Sequence, residues 1–137
     1  MGTARISISL PTELLRRLDK FVSEYGVESR SKVIVDALLS YLGSKGFFEG
    51  TEQVFGTLHL VYDHRASVQE LLEIEHKYLH LIRSTIHIHV SEHICFETMV
   101  VQGIASEIRE LVSKLSKVRG VKTIQCALYR ESDIRSL

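Results

Sequence analysis

A strict alternation opens the chain. Arg5-Ile6-Ser7-Ile8-Ser9-Leu10 places apolar side chains at even positions and polar ones at odd positions. That period of two predicts a short strand with one greasy face and one hydrogen-bonding face. Pro11 ends it and suits a helix start. Leu14, Leu18, Phe21, Val22 and Tyr25 then recur at helical spacing, with Gly26 as the C-terminal stop. A second helix is expected from about Ser31, capped by Ser29 or Ser31, with Val33, Ile34, Ala37, Leu38, Tyr41 and Leu42 along one stripe. One strand and two helices can neither close a sheet nor bury an adequate core. The strand needs a partner, and the simplest partner is the same strand of a second copy. Two copies give a two-stranded ribbon over four interlocked helices. Arg5, Ser7 and Ser9 then project from its outer face, and a ribbon of this width fits the major groove of B-DNA.

Charge neither supports nor opposes that reading. Lysine plus arginine equals aspartate plus glutamate, 17 each in 137 residues, so no global positive field draws the chain to nucleic acid and local geometry must do it. With 45% hydrophobic residues and one proline, the chain is expected to be globular rather than disordered. No apolar run reaches bilayer length and the N-terminus has no signal-type stretch, so a cytoplasmic location without a membrane partner is expected. Two cysteines fit a compartment where thiols stay free.

The halves differ in chemistry. All seven histidines lie between His59 and His93, and both cysteines, Cys95 and Cys126, are in the second half. The glycine-rich stretch around residues 43 to 52 reads as a linker, which divides the chain into residues 1–45, a linker 46–52 and residues 53–137. In the second half, Val54 to Asp63 reads as a strand. Ser67 caps a helix with Leu71, Leu72, Leu79 and Ile82 on its inner side. Thr85 to Val90 and Ile94 to Val101 form a hairpin around Ser91-Glu92-His93. A helix carrying Ile108, Leu111, Val112, Leu115 and Val118 is stopped by Gly120, and Val121 to Leu128 is the last strand. The fold class is therefore α+β, and the order strand, helix, strand, strand, helix, strand is the ferredoxin-like (ACT-like) arrangement.

His87-Ile88-His89 places two imidazoles on one face of a strand. The short turn brings Cys95 beside them, so three metal ligands converge from one hairpin. A fourth must come from elsewhere. His76 and His80, one helical turn apart, are both candidates, within the chain or from another subunit. His59, His64 and His93 are expected at the surface or in secondary sites, and Cys126 as a small buried hydrophobe. Three nitrogens and a thiolate suit planar nickel(II) or copper(II), and zinc would ask for a tetrahedron, so chemistry alone leaves the metal open.

The head pattern Arg5-Ile-Ser-Ile-Ser-Leu-Pro, Gly26 and Ser29-Arg30-Ser31-Lys32 resembles the ribbon-helix-helix repressors. Together with His76, His87-x-His89 and Cys95, nearly the whole chain resembles the NikR nickel-responsive regulators. The resemblance implies one Ni(II) per subunit, held by His87, His89 and Cys95 of one chain and His76 of its neighbour. It implies a homotetramer, a dimer of dimers whose core is the metal domain. The partner is a double-stranded DNA operator with two half-sites, and nickel uptake genes are repressed. Arg5, Ser7 and Ser9 become base-reading residues, and Arg30 and Ser31 phosphate contacts. Two residues depart from the family pattern. Lys32 replaces a glutamate that, with the acid matching Asp36, binds a second cation, and Glu75 replaces a glutamine before the bridging histidine. Glu75, Glu97, His64 and His80 are thus candidates for supporting or secondary metal roles.

Other functions compete with this one. A regulator of the same build could sense copper or cobalt. An enzyme could use the hairpin as a catalytic metal site with Glu97 as general base, but a fourth histidine would close the open position catalysis needs. An antitoxin would have a disordered tail, and an amino-acid sensor would leave the histidines and cysteine unexplained. A non-enzymatic regulator is the expectation.

Overall fold

The computed structural model describes residues 2–27, 29–46 and 48–137. Two helices come first, α1 (Thr12–Tyr25) and α2 (Arg30–Ser44). Gly26 takes the left-handed conformation (φ 64°) that ends α1. Ser29, not Ser31, caps α2, its hydroxyl accepting from the Lys32 amide at 3.1 Å. The strand expected at residues 5–10 is absent from the single chain. Residues 2–11 belong to no helix or strand, because a strand is held by ladder bonds to a second strand, and among the described residues none lies beside them.

The second half follows as β1 (Gln53–Asp63), α3 (Val68–Lys77), β2 (Ile82–His89), β3 (Ile94–Ile104), α4 (Ala105–Ser116) and β4 (Val121–Tyr129), with a short unforeseen α5 (Glu131–Arg135). The four strands form one antiparallel sheet in the order β2-β3-β1-β4, the split βαβ arrangement. Leu58, Leu60 and Tyr62 of β1 and Met99 and Val101 of β3 share the face covered by α3 and α4, where Leu71, Ile108, Leu111 and Leu115 meet them. Sheet parity decides this: even residues of β1 pair with odd residues of β3, so both sets point the same way.

Two expected core residues face outward. Leu72 is 58% and Leu79 57% exposed. The helix stops at Lys77, so Leu79 lies beyond its periodicity, and the inward positions are taken by Leu71, Tyr78 and Leu81.

The head contributes almost nothing to the core. No residue of α1 is buried, and in α2 only Gly43 is. Gly43 lies so close to the Leu128 carbonyl of β4 that a Cβ there would overlap its oxygen. Arg109 of α4 holds the connecting segment by donating to the carbonyls of Gly46 (3.1 Å) and Phe48 (2.7 Å).

Candidate metal centre

The β2–β3 register fixes the site. His89 pairs with Cys95 and His87 with Glu97 across the hairpin. Directly opposed residues point to the same face, so all four side chains come together on the helix side of an edge strand. One donor atom from each of His87, His89 and Cys95 lies within 4.8 Å of the others. Cys95 Sγ stands 3.5 Å from His89 Nδ1, and the two imidazole rings are 5.0 Å apart. Donors on one ion, with bonds of about 2.0–2.3 Å, stand about 3 Å apart when adjacent and about 4.3 Å apart when opposite. The three groups therefore need only small side-chain rotations to share an ion. Both histidines are exposed and Cys95 is half-buried, so the pocket has an open side.

Beneath the ligands lies a carboxylate layer. Glu97 is buried. The Tyr62 hydroxyl stands 3.4 Å from Glu97 Oε2, to which it donates, and 3.3 Å from His87 Nε2. A hydroxyl committed to Glu97 offers His87 its lone pairs, which favours the tautomer with hydrogen on Nε2 and leaves Nδ1 free to ligate. Burial, then the charge of Glu97, pushes the Tyr62 phenol well above its usual range. Glu75 of α3 also reaches Glu97: burial first, then a hydrogen bond to Glu97 and its charge, push the Glu75 carboxyl up. Sequence reasoning singled out Glu75 and Glu97 but missed Tyr62. Its even position on β1, in register with Cys95, was the available signal.

His76 is not part of the cluster within one chain. It lies in the exposed last turn of α3, beside a depression of about 710 Å³ lined also by Val68, Gln69, Leu72, Glu73 and Lys77. His80 faces away and pairs with Glu107 at 3.3 Å. His64 meets His93 instead, their rings 5.4 Å apart. The His59 ring is held by Thr57 and Thr98, both at 3.1 Å. Cys126 is half-buried against the core, and desolvation raises its thiol.

At the other end, Arg5, Ser7 and Ser9 are exposed. Arg30 is engaged by Asp19 through two bonds of 2.6 and 2.8 Å, and Ser31 is exposed in the first turn of α2. Lys32 Nζ contacts Asp36 Oδ1 at 2.5 Å, one turn along the helix.

Residues 55–129, which hold the whole hairpin, match the family described as the NikR C-terminal nickel-binding domain. The chain belongs to the NikR family. Its curated relatives carry the name "Putative nickel-responsive regulator". One from Saccharolobus islandicus (strain L.S.2.15) is 43% identical over 121 residues, covering 88% of this chain and 90% of the relative. One from Saccharolobus solfataricus has the same identity and coverage. One from Pyrococcus abyssi is 41% identical over 124 residues, covering 89% and 90%. NikR proteins are regulators rather than enzymes, which sets aside the catalytic reading of the hairpin with Glu97 as base. Among the described residues no helix is long and apolar enough to cross a membrane.

Proposed function

We propose that the chain is a nickel-dependent transcriptional repressor of metal uptake genes. It binds operator half-sites with a ribbon made by residues 5–10 of two copies. The observation that carries this reading is the convergence of His87, His89 and Cys95 on one hairpin in a chain of the NikR family. Two neutral imidazoles and a thiolate, joined by a third imidazole, suit a planar d8 ion, although copper(II) would compete by its higher intrinsic affinity. When bound, nickel supplies a cross-link between one subunit's hairpin and the neighbour's His76. The chain is read as a DNA-binding domain (1–45), a linker (46–52) and a ferredoxin-like metal domain (53–137) that forms the core of a homotetramer.

The head supports pairing through its unburied apolar surface. Ile6 is 74% exposed, and an apolar groove along α1 is lined by Leu14, Leu18, Phe21, Tyr25 and Val33. A monomer rarely leaves such a surface to water. The second interface is supported by Val68 and Leu72, both exposed, which share a helix face with His76 at intervals of four. An exposed imidazole set in an apolar stripe is placed to reach a hairpin on another copy. Arg5, Ser7 and Ser9 would read bases. Ser31 and Arg30 would meet phosphate at the start of α2, with Arg30 first leaving Asp19.

The test is a metal titration of His76→Ala and His80→Ala proteins, following the absorption spectrum and retention of operator DNA. His76→Ala should lose the planar nickel spectrum and the metal-dependence of DNA retention, whereas His80→Ala should keep both. The opposite pattern would move the fourth ligand to His80. Mixing His76→Ala with Cys95→Ala chains should restore some complete sites, since each lacks a different ligand. No restoration would refute sharing between subunits.

A further inference from the structure

We propose that the cavity between the end of α2 and the metal domain binds a small monocarboxylate with an apolar tail. The cavity shares no residue with the metal hairpin, so the inference does not depend on the nickel reading. Its volume is about 230 Å³. Ile108 and Val112 of α4 and Cys126 and Leu128 of β4 form an apolar lining, and among the described residues Lys45 and Arg109 bring the only charges. Ile108 and Leu128 are buried, Val112 and Cys126 half-buried, and both cations exposed. The apolar lining is therefore deep and the positive charge lies at the rim. Neither cation has a carboxylate partner among the described residues. Lys45 Nζ lies over the Tyr41 ring, 5.5 Å from its centre. Arg109 gives one terminal nitrogen to the carbonyls of Gly46 and Phe48, at 3.1 and 2.7 Å. A guanidinium carries donors on all three nitrogens, and no hydrogen bond among the described residues uses the other two.

The neighbouring cavity at the same junction is different. Its one cation, Arg130, is already held by Glu52 and Asp133. The chain thus answers one basic residue at this junction internally and leaves two for a ligand. A carboxylate between them would accept charge-assisted hydrogen bonds, while its tail leaves water for the apolar lining. An alcohol would leave the cations unanswered, an amine would add a third like charge, and an inorganic anion would leave the lining wet. At about 30 Å³ per water-sized group, the space suits about eight heavy atoms, roughly a six-carbon acid. The walls come from both halves of the chain, Lys45 and Gly46 from the end of α2 and the rest from α4 and β4. A ligand there meets its full set of contacts only while the head is docked, so by linkage it favours the docked arrangement.

The full nickel-loaded chain is titrated with sodium hexanoate at fixed ionic strength. Calorimetry gives the affinity, and the methyl signals of isoleucine, leucine and valine are followed by NMR. Binding should saturate at one hexanoate per chain, with shifts at Ile108, Val112 and Leu128. Acetate, which lacks the tail, and hexanol, which lacks the charge, should each bind about tenfold more weakly. Lys45→Gln and Arg109→Gln should each weaken hexanoate by about tenfold and leave the nickel spectrum unchanged, and Arg109→Lys should restore part of the loss. Arg109 also holds the connecting segment, so Lys45→Gln, at an exposed position, separates loss of the ligand from loss of docking. Circular dichroism checks the fold of each variant. No saturable binding up to millimolar hexanoate would overturn the proposal. So would hexanol binding as well as hexanoate, an unchanged affinity in Lys45→Gln, or shifts centred on Leu14 and Leu18 of the α1 groove or on Leu72 of α3.

Discussion

Replacing Gly43 by alanine tests whether the head is seated on the metal domain as the structure has it. In a solvated helix this change is favourable by about 1 kcal/mol, because alanine loses less backbone entropy than glycine. Here the added methyl group would overlap the Leu128 carbonyl oxygen, with the Leu128 carbon at 3.2 Å and nitrogen at 3.3 Å. The oxygen cannot turn aside, since Leu128 lies in β4 and pairs with Gly56 in the neighbouring strand. The helix end must instead retreat by about 1 Å, a gap that forfeits a quarter to a half of each contact's dispersion energy. Overpacking of this kind costs about 1–3 kcal/mol, so it outweighs the propensity gain. The net expectation is a loss of about 1 kcal/mol, or a fall of about 3–5 °C in Tm for a domain of this size. Urea and thermal unfolding followed by circular dichroism would measure it. Ser40→Ala, at an exposed position in the same helix, is the control and should be neutral or slightly stabilising. If Gly43→Ala instead stabilises by about 1 kcal/mol, α2 does not rest on β4 in solution and the docking argument fails.

Asp63→Asn should flatten the acid limb of the stability curve. The Arg65 side chain, opposed by burial and helped by the Arg65 amide and Lys122, holds the Asp63 carboxyl well below its ordinary range. A carboxyl with a depressed folded-state pKa adds stability above its unfolded pKa, and that stability is lost as pH falls through the folded one. Tm measured from neutral to strongly acid pH should therefore drop less steeply in the variant, and parallel curves would count against the Arg65–Asp63–Lys122 cluster. DNA retention at saturating nickel should be the same in potassium and sodium at equal ionic strength, because Lys32 already places an ammonium on Asp36. A strong preference for potassium would show that a cation site persists despite Lys32.

Several features could be read from the chain alone because they depend only on local period. Helical spacing located α1, α2 and α4, the serines marked the caps, and alternation placed His87 and His89 on one face with Cys95 on the returning strand. Donor identity followed too, since imidazole and thiolate are chosen by the residue and not by its surroundings. The pattern also showed that the head lacks a core, and α1, with no buried residue, agrees.

Tertiary structure decided whatever depends on partners distant in sequence. Tyr62 lies 25 residues from His87 in the chain, and only the pairing of β1 with β3 and of β3 with β2 brings their side chains to 3.3 Å. Packing of α3 on the paired strands buries Glu97 and brings Glu75 to it. Strand pairing also sets His64 against His93, while the packing of α3 and the segment after it against α4 brings His80 to Glu107, splitting histidines that look equivalent in sequence. Leu72 could not be placed by period alone, because a helix of ten residues offers several apolar faces and the sheet covers one of them, and Leu79 lies past the end of that helix. Local rules specify what each segment presents; long-range hydrogen-bond register and close packing decide what it meets.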